Sequence, residues 1–160
     1  MFQSLDRLLT LRHGIPPRRG RPAPELGIAD AKGKVWTLAD LKGKTAVVFF
    51  YPADDTPGCT QEACAFRDQY EAFSGTTLLG VSTDVIDSHR AFAGKFNLPF
   101  PLLSDVDGKV SRMWGVRSIR GSARRVTFVI DRGGVIRWRF DPVEIDGHNA
   151  EVLAAIAAAG

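Results

Sequence analysis

Three short apolar runs constrain the fold of this chain more than any other feature of its sequence. They read TAVVFFY at 45–51, TTLLGVST at 76–83 and VTFVID at 126–131. Each run is rich in β-branched and aromatic residues and lacks polar alternation, which is typical of strands buried on both faces. Such strands need a covering layer on each side of their sheet.

The segments between and after these strands have helical periodicity. CTQEACAFRDQYEAF places its apolar residues at spacings of three and four, which predicts an amphipathic helix over 59–73. VIDSHRAFAGKFN predicts a second helix and AEVLAAIAAAG a third. A DRGG turn joins the last buried strand to VIRWRF at 135–140, which predicts a hairpin. The pattern therefore indicates an α/β domain with a central mixed β-sheet flanked by helices.

Charge divides the chain into two parts. Residues 1–21 hold five arginines and one aspartate, a net +4 within a total of +3, so the remainder sums to −1. We therefore predict a basic N-terminal arm over 1–21 and one domain over 22–160. A near-neutral domain argues against nucleic-acid binding, and no apolar run approaches the roughly 20 residues of a membrane span. The arm lacks the apolar core of a secretory signal, which predicts a cytoplasmic protein, with organelle targeting as the alternative.

The chain has two cysteines, Cys59 and Cys64, at the start of the first predicted helix. Thr56 is a suitable N-cap and Pro57 suits the first helical position, which places Cys59 third. Free N–H groups and the helix dipole stabilise an anion there, so we expect a reactive thiolate. The Pro-Gly pair before Cys59 and the polar loop before that pair argue against its burial in the core.

The spacing of the two cysteines indicates a switch rather than a permanent cross-link. On an intact helix, residues five apart have Cα atoms about 8.5 Å apart, beyond the ~7 Å limit for a disulfide. Cys59 and Cys64 therefore cannot pair unless the first turns unwind. Two thiols at this spacing share no helix face and have no neighbouring histidine, which argues against a metal site.

The stretch FFYPADDTPGCTQEACAFRD resembles the peroxiredoxins, specifically the peroxiredoxin Q group, also called bacterioferritin comigratory proteins. The family signature Pro-x-x-x-Thr/Ser-x-x-Cys matches Pro52 to Cys59, and the likeness continues through LLGVSTD, FPLLSD and RVTFVIDRGGVI. The resemblance implies a thioredoxin-like fold and a thiol peroxidase.

The resemblance also implies roles for six residues. They are Cys59 as peroxidatic cysteine, Cys64 as resolving cysteine, Thr56 as hydrogen-bond partner of thiolate and peroxide, Pro52 as a shield from water, Arg125 as the active-site arginine and Glu62 as the residue that orients it. No cofactor and no metal are expected. The implied partners are a hydroperoxide and a dithiol reductant such as thioredoxin, and relatives are mostly monomers.

Arg125 is also supported by its own position. It directly precedes the buried strand at 126–131, so its side chain can lie along the end of the sheet, whereas Arg124 should point to the opposite face. One cation near the sulfur suffices to hold the thiolate and to stabilise charge on the leaving oxygen. His89 and His148 are candidate bases, but surface or helix-end positions explain both better.

Two other functions stay open on the residues alone. One is a general thiol–disulfide oxidoreductase, although the chain lacks its C-x-x-C pair. The other is a redox sensor or chaperone that uses the same cysteine switch without turnover. Repeated cycling with a reductant would distinguish a peroxidase from such a sensor.

Overall fold

The structure, a computed structural model, describes residues 17–159. A five-stranded mixed sheet of order β5-β4-β3-β6-β7 lies at its centre, and β1 and β2 form a separate small ribbon. The strands are β1 Ile28–Ala29, β2 Val35–Trp36, β3 Ala46–Phe50, β4 Thr77–Ser82, β5 Leu102–Ser104, β6 Val126–Ile130 and β7 Ile136–Phe140. The helices are α1 Leu38–Leu41, α2 Pro57–Asp68, α3 Ile86–Phe96, α4 Lys109–Met113 and α5 His148–Ala159.

The sheet is covered on both faces, as the apolar runs require. Every residue of β3 is buried, and its side chains alternate between two apolar clusters. α1 and α4 contribute Leu41, Val110 and neighbouring residues to the cluster on one face. α2, α3 and α5 cover the other face, where Phe66 and Phe92 contact the second cluster. The predicted α/β class with a mixed sheet is confirmed.

The predicted elements differ from the observed ones mainly at their ends. The predicted helix over 59–73 is α2 followed by a separate 3-10 turn, Tyr70–Phe73, because the backbone at Gln69 leaves the helical region (φ −116°, ψ 23°). β1, β5 and α4 were not predicted. With two, three and five residues they are too short to show a hydrophobic period.

Sheet topology brings distant segments to one edge. β3 and β4 are parallel, so their carboxyl ends lie together. β6 is antiparallel to β3 with Phe50 opposite Val126, so β6 begins where β3 ends. The loop 51–56 leaves β3 at this edge and enters α2. The start of α2 and the residue before β6 therefore meet here.

Residues 1–16 of the predicted arm lie outside the described residues. The described part of the arm lies along β7, where the Gly20 N–H donates to the Ile136 carbonyl at 2.7 Å and the Arg19 guanidinium stacks on Trp138 at 4.1 Å. The boundary at 21/22 stays a prediction. Within residues 17–159, no helix has the length and apolar character needed to span a membrane.

Candidate active site

Cys59 occupies the helix position that the sequence predicts. Thr56 is the N-cap residue of α2 with extended backbone (φ −94°, ψ 155°), Pro57 is first, and Cys59 is third. The Thr56 carbonyl accepts from the Thr60 N–H at 2.9 Å. The Thr56 hydroxyl donates to the Ala53 carbonyl at 2.8 Å and does not cap the helix. Its remaining lone pairs can still accept a hydrogen bond from a peroxide.

The prediction that Cys59 is not buried was wrong, since the residue is only 2% exposed. The buried face of α2 consists of Cys59, Glu62, Ala63 and Phe66. These residues recur at spacings of three and four, so Cys59 continues the stripe that packs on the sheet. A polar loop precedes the helix, but the tertiary packing of its other residues decides which face is covered.

Arg125 contacts Cys59 directly. Its Nη2 lies 3.2 Å from the Cys59 Sγ, while its Nη1 donates to Glu62 Oε1 at 3.1 Å. The predicted difference between the two arginines is observed, because Arg124 points the other way and pairs with Asp141 at 2.8 Å. One guanidinium thus bridges the thiol and a buried carboxyl group.

Glu62 has an unusual electrostatic setting. Its side chain is 1% exposed, and its Oε2 has no hydrogen-bond partner among residues 17–159. Burial raises the pKa of Glu62 to about 7, although the neighbouring Arg125 opposes part of that rise. Burial also disfavours the charge on Arg125, but Glu62 and Cys59 outweigh this effect and hold its pKa above the usual value. Glu62 therefore changes charge near neutral pH beside a permanent cation.

The first turn of α2 is covered by the segment 142–147, which the sequence did not reveal. Gln61 Nε2 donates to Asp146 Oδ1 at 2.8 Å. A Cβ atom at Gly58 would lie 3.1 Å from Arg125 Nη2 and 3.3 Å from Ile145 Cδ1. Glycine at this position lets the guanidinium and the covering segment approach the helix closely.

Cys64 lies on the same unbroken helix as Cys59, and both are free thiols. Cys64 is half-buried, whereas Cys59 is buried. Five helical positions separate their Cα atoms by about 8.5 Å, so this is a reduced arrangement that cannot carry a disulfide without unwinding. Pro52 is half-buried and lies in the loop that follows β3.

The two histidines differ from expectation. His89 was predicted at the surface or a helix end, but its side chain is 0% exposed and lies within α3. His148 is indeed the first residue of α5, yet it is also buried, between Thr127 Oγ1 at 2.8 Å and Glu151 Oε1 at 2.6 Å. Burial lowers the pKa of His148. Its partners fit a neutral ring that donates to Glu151 and accepts from Thr127.

One group in the described part of the chain has metal-ligand proximity. Ligand atoms of Asp54, Asp84 and His89 lie within 4.8 Å of one another. However, the Asp54 carboxylate already accepts hydrogen bonds from Tyr51 and Ser88 and lies 2.8 Å from His89 Nδ1. Hydrogen bonding accounts for this cluster without an ion.

Comparisons with known proteins agree with the geometry. The model of the AhpC/TSA family matches residues 19–139. A Coxiella burnetii protein named putative peroxiredoxin bcp is 43% identical over 86% of this chain and 97% of its own. The chloroplastic peroxiredoxin Q of Sedum lineare is 48% identical over 74% of this chain. The matched part covers 66% of that longer protein. The solved bacterioferritin comigratory protein of Xanthomonas campestris is similar with a TM-score of 0.81 and 31% identity, covering 88% of this chain and 98% of that one.

Fold, site and relatives agree on the class, a thiol peroxidase built on a thioredoxin-like fold. Such an enzyme acts on a peroxide and is restored by a thiol reductant. The chain belongs to the AhpC/TSA family and, within it, to the peroxiredoxin Q and bcp group. The family and the enzyme class predicted from the sequence are confirmed, and neither a general exchange enzyme nor a non-catalytic sensor is favoured.

Proposed function

We propose that Cys59 is the peroxidatic cysteine of this enzyme and that Cys64 resolves it within the same chain. The contact of 3.2 Å between Arg125 Nη2 and Cys59 Sγ carries the proposal. A guanidinium at hydrogen-bond distance from a thiol at a helix N-terminus favours the thiolate, the nucleophilic form. Cys64 is the one other thiol of the chain.

In the first step, the Cys59 thiolate attacks the terminal oxygen of a hydroperoxide, and the O–O bond breaks. The sulfur becomes sulfenic acid, and the departing alkoxide or hydroxide takes up a proton to give alcohol or water. Arg125 stabilises the negative charge that develops on the leaving oxygen. Thr56 accepts a hydrogen bond from the peroxide, Pro52 limits access of water, and Glu62 orients Arg125.

In the second step, the Cys64 thiolate attacks the Cys59 sulfur. An S–S bond forms and the sulfenic oxygen leaves as water after protonation. The first turns of α2 must unwind for this step, because an intact helix holds the two residues too far apart. A dithiol of the thioredoxin class then reduces the disulfide by exchange, which returns both thiols.

The finer assignments are part of the same proposal. We expect hydrogen peroxide and organic hydroperoxides as substrates, since the Xanthomonas campestris relative is described by its alkyl peroxide reduction activity. An intramolecular disulfide needs no second subunit, so we expect a monomer. We expect a cytoplasmic location. The alternative is that the arm targets the protein to an organelle, since one relative is chloroplastic.

A coupled assay with thioredoxin, its reductase and peroxide tests the proposal. Cys59→Ser should abolish turnover. Cys64→Ser should keep one round of peroxide reduction and lose recycling by thioredoxin, while a small thiol such as dithiothreitol still restores it. Turnover in Cys59→Ser, or normal recycling of Cys64→Ser by thioredoxin, would show that the roles are assigned wrongly.

A further inference from the structure

We propose that His89 is a positioning residue of this peroxidase. Its Nδ1 contact with Asp54 holds the loop 52–56, which sets the place of Thr56 and of the first turn of α2. The inference rests on the proposed role of Cys59 as the nucleophile. It adds a residue from α3, on a different segment from the six candidate site residues.

Asp54 is the residue of this loop that is held most firmly by hydrogen bonds to the surrounding protein. Its side chain is only 4% exposed. The Asp54 Oδ1 accepts from the Tyr51 hydroxyl at 2.7 Å, and its Oδ2 accepts from the Ser88 hydroxyl at 2.8 Å and lies 2.8 Å from His89 Nδ1. The backbone N–H of Asp54 donates to Asp84 Oδ2 at 2.9 Å. Both the side chain and the backbone of Asp54 are therefore tied to the surrounding protein.

His89 links Asp54 to two regular elements. The residue lies within α3, and its Nε2 is 2.9 Å from the carbonyl oxygen of Leu103 in β5. A carbonyl only accepts, so Nε2 carries a proton and the ring orientation is fixed. With Nε2 held by β5, Nδ1 faces Asp54. The imidazole thus joins the loop to a helix and a strand at once.

The loop needs such an anchor because its next residue is conformationally unfavourable. Asp55 has φ 55°, in the left-handed region, which is unfavourable for a non-glycine residue. Its ion pair with Lys95 is about half exposed at both ends and contributes little. The buried contacts of Asp54 therefore hold the backbone that leads into Thr56, the N-cap of the helix that carries Cys59.

The position of the Cys59 sulfur relative to Thr56 and Arg125 matters more for its attack on a peroxide than for other reactions of the thiol. Displacement at the O–O bond requires the sulfur, the two oxygens and the stabilising groups in one alignment, and a misplacement of about 1 Å costs up to about a hundredfold in rate. Alkylation by iodoacetamide requires a thiolate and access but no such alignment with Thr56. Loss of the anchor should therefore separate these two rates.

Two substitutions of His89 form a matched pair for this test. In His89→Asn the amide occupies roughly the place of Nδ1 and can still donate to Asp54. In His89→Gln the amide reaches roughly the place of Nε2, so it can keep the Leu103 contact and loses Asp54. Both remove the same ring. A Cys64→Ser background leaves Cys59 as the one thiol, and stopped-flow oxidation by hydrogen peroxide is compared with alkylation by iodoacetamide.

The expected result is a loss of peroxide rate in His89→Gln of about tenfold or more, with alkylation within about twofold of the parent protein. His89→Asn should keep the peroxide rate within about threefold. Asp54→Asn should resemble His89→Gln, and the double variant should cost no more than either single change, because the two residues act as one unit. If the His89 variants do not fold, Asp54→Asn alone provides the same comparison of the two rates.

Three results would overturn the inference. The first is a peroxide oxidation rate in His89→Gln equal to that of the parent protein. The second is an equal loss of that rate in His89→Asn and His89→Gln. The third is a parallel fall of the oxidation and alkylation rates in Asp54→Asn. Failure of the proposed function is distinguishable from these, because then Cys59 of the unsubstituted protein would not be oxidised by peroxide at all.

Discussion

Arg125 Nη2 lies 3.2 Å from Cys59 Sγ although the two residues are 66 positions apart in the chain. The sheet explains this proximity. β6 runs antiparallel to β3, so the residue before β6 lies beside the loop that follows β3 and begins α2. Arg125 shares the face of Thr127 and Val129, which is the face that α2 covers.

Arg125→Ala should slow oxidation of Cys59 by peroxide by about one to two decades. Loss of one charge-assisted contact to an anion costs on the order of 1.5–3 kcal/mol. Arg124→Ala is the control, since Arg124 pairs with Asp141 on the other face. Equal effects of the two substitutions in stopped-flow oxidation would refute the assignment.

Gly58→Ala should slow peroxide oxidation by about tenfold without destabilising the protein. The added methyl group would lie 3.1 Å from Arg125 Nη2, so the guanidinium must move by a few tenths of an ångström from its position beside the thiol. Alanine has the better helix propensity, by about 1 kcal/mol, which should offset strain in the helix. Gly94→Ala in α3 is the control, because no atom of the described part of the chain lies within 4 Å of its new Cβ. An unchanged peroxide rate in Gly58→Ala would show that the close approach has no catalytic role.

Glu62→Gln should change how stability depends on pH. Burial raises the pKa of Glu62 from 4.5 to about 7, so the folded protein keeps a proton that the unfolded chain releases across this window. The contribution of Glu62 to the free energy of unfolding of the wild-type protein therefore falls as pH rises from about 4.5 to 7 and levels off above. Glutamine cannot ionise. The free energy of unfolding of Glu62→Gln, measured relative to that of the wild-type protein, should therefore rise by about 2–3 kcal/mol between pH 4.5 and 8.

Urea unfolding of the reduced proteins at several pH values measures this difference. His148 acts in the opposite sense. Burial lowers its pKa, so its contribution to the free energy of unfolding is lost as pH falls below the pKa that His148 has in the unfolded chain. His148 is present in both proteins, so the difference between them isolates Glu62. A difference that does not vary with pH would contradict the raised pKa.

Asp146→Ala should speed formation of the disulfide after Cys59 is oxidised. The hydrogen bond from Gln61 to Asp146 ties the first turns of α2 to the covering segment and must break before they unwind. Its loss, on the order of 0.5–1 kcal/mol, corresponds to about two- to fivefold in rate. Asp141→Ala changes the residue directly before this segment and removes a partner of Arg124 instead. Equal rates in Asp146→Ala and Asp141→Ala would show that the Gln61 contact does not restrain the helix.

Much of this fold and site follows from local sequence. The apolar runs predict the three central strands because complete burial removes polar alternation. Thr56 and Pro57 predict the start of α2, and the position of Arg125 relative to β6 predicts the face on which it lies. These inferences need only neighbouring residues and strand geometry.

The errors arise where distant packing decides. Cys59 follows a polar loop, yet the packing of Ala63 and Phe66 carries it into the interior. His89 lies on the apolar stripe of α3 with Phe92, a signal that favoured burial. Its partner Asp54 is 35 positions away, and no local pattern connects them. The close approach at Gly58 likewise exists only in three dimensions.

The redox change of α2 is the central claim, and hydrogen exchange of the backbone amides over residues 57–68 tests it most directly. Unwinding gives up intrahelical hydrogen bonds, and so short a disulfide loop restrains the unfolded chain little. We predict slow exchange in the reduced protein and markedly faster exchange after oxidation, with a Cys59–Cys64 bond confirmed by peptide mapping. Equal protection in both states, with that bond present, would mean that α2 does not unwind and would contradict the account.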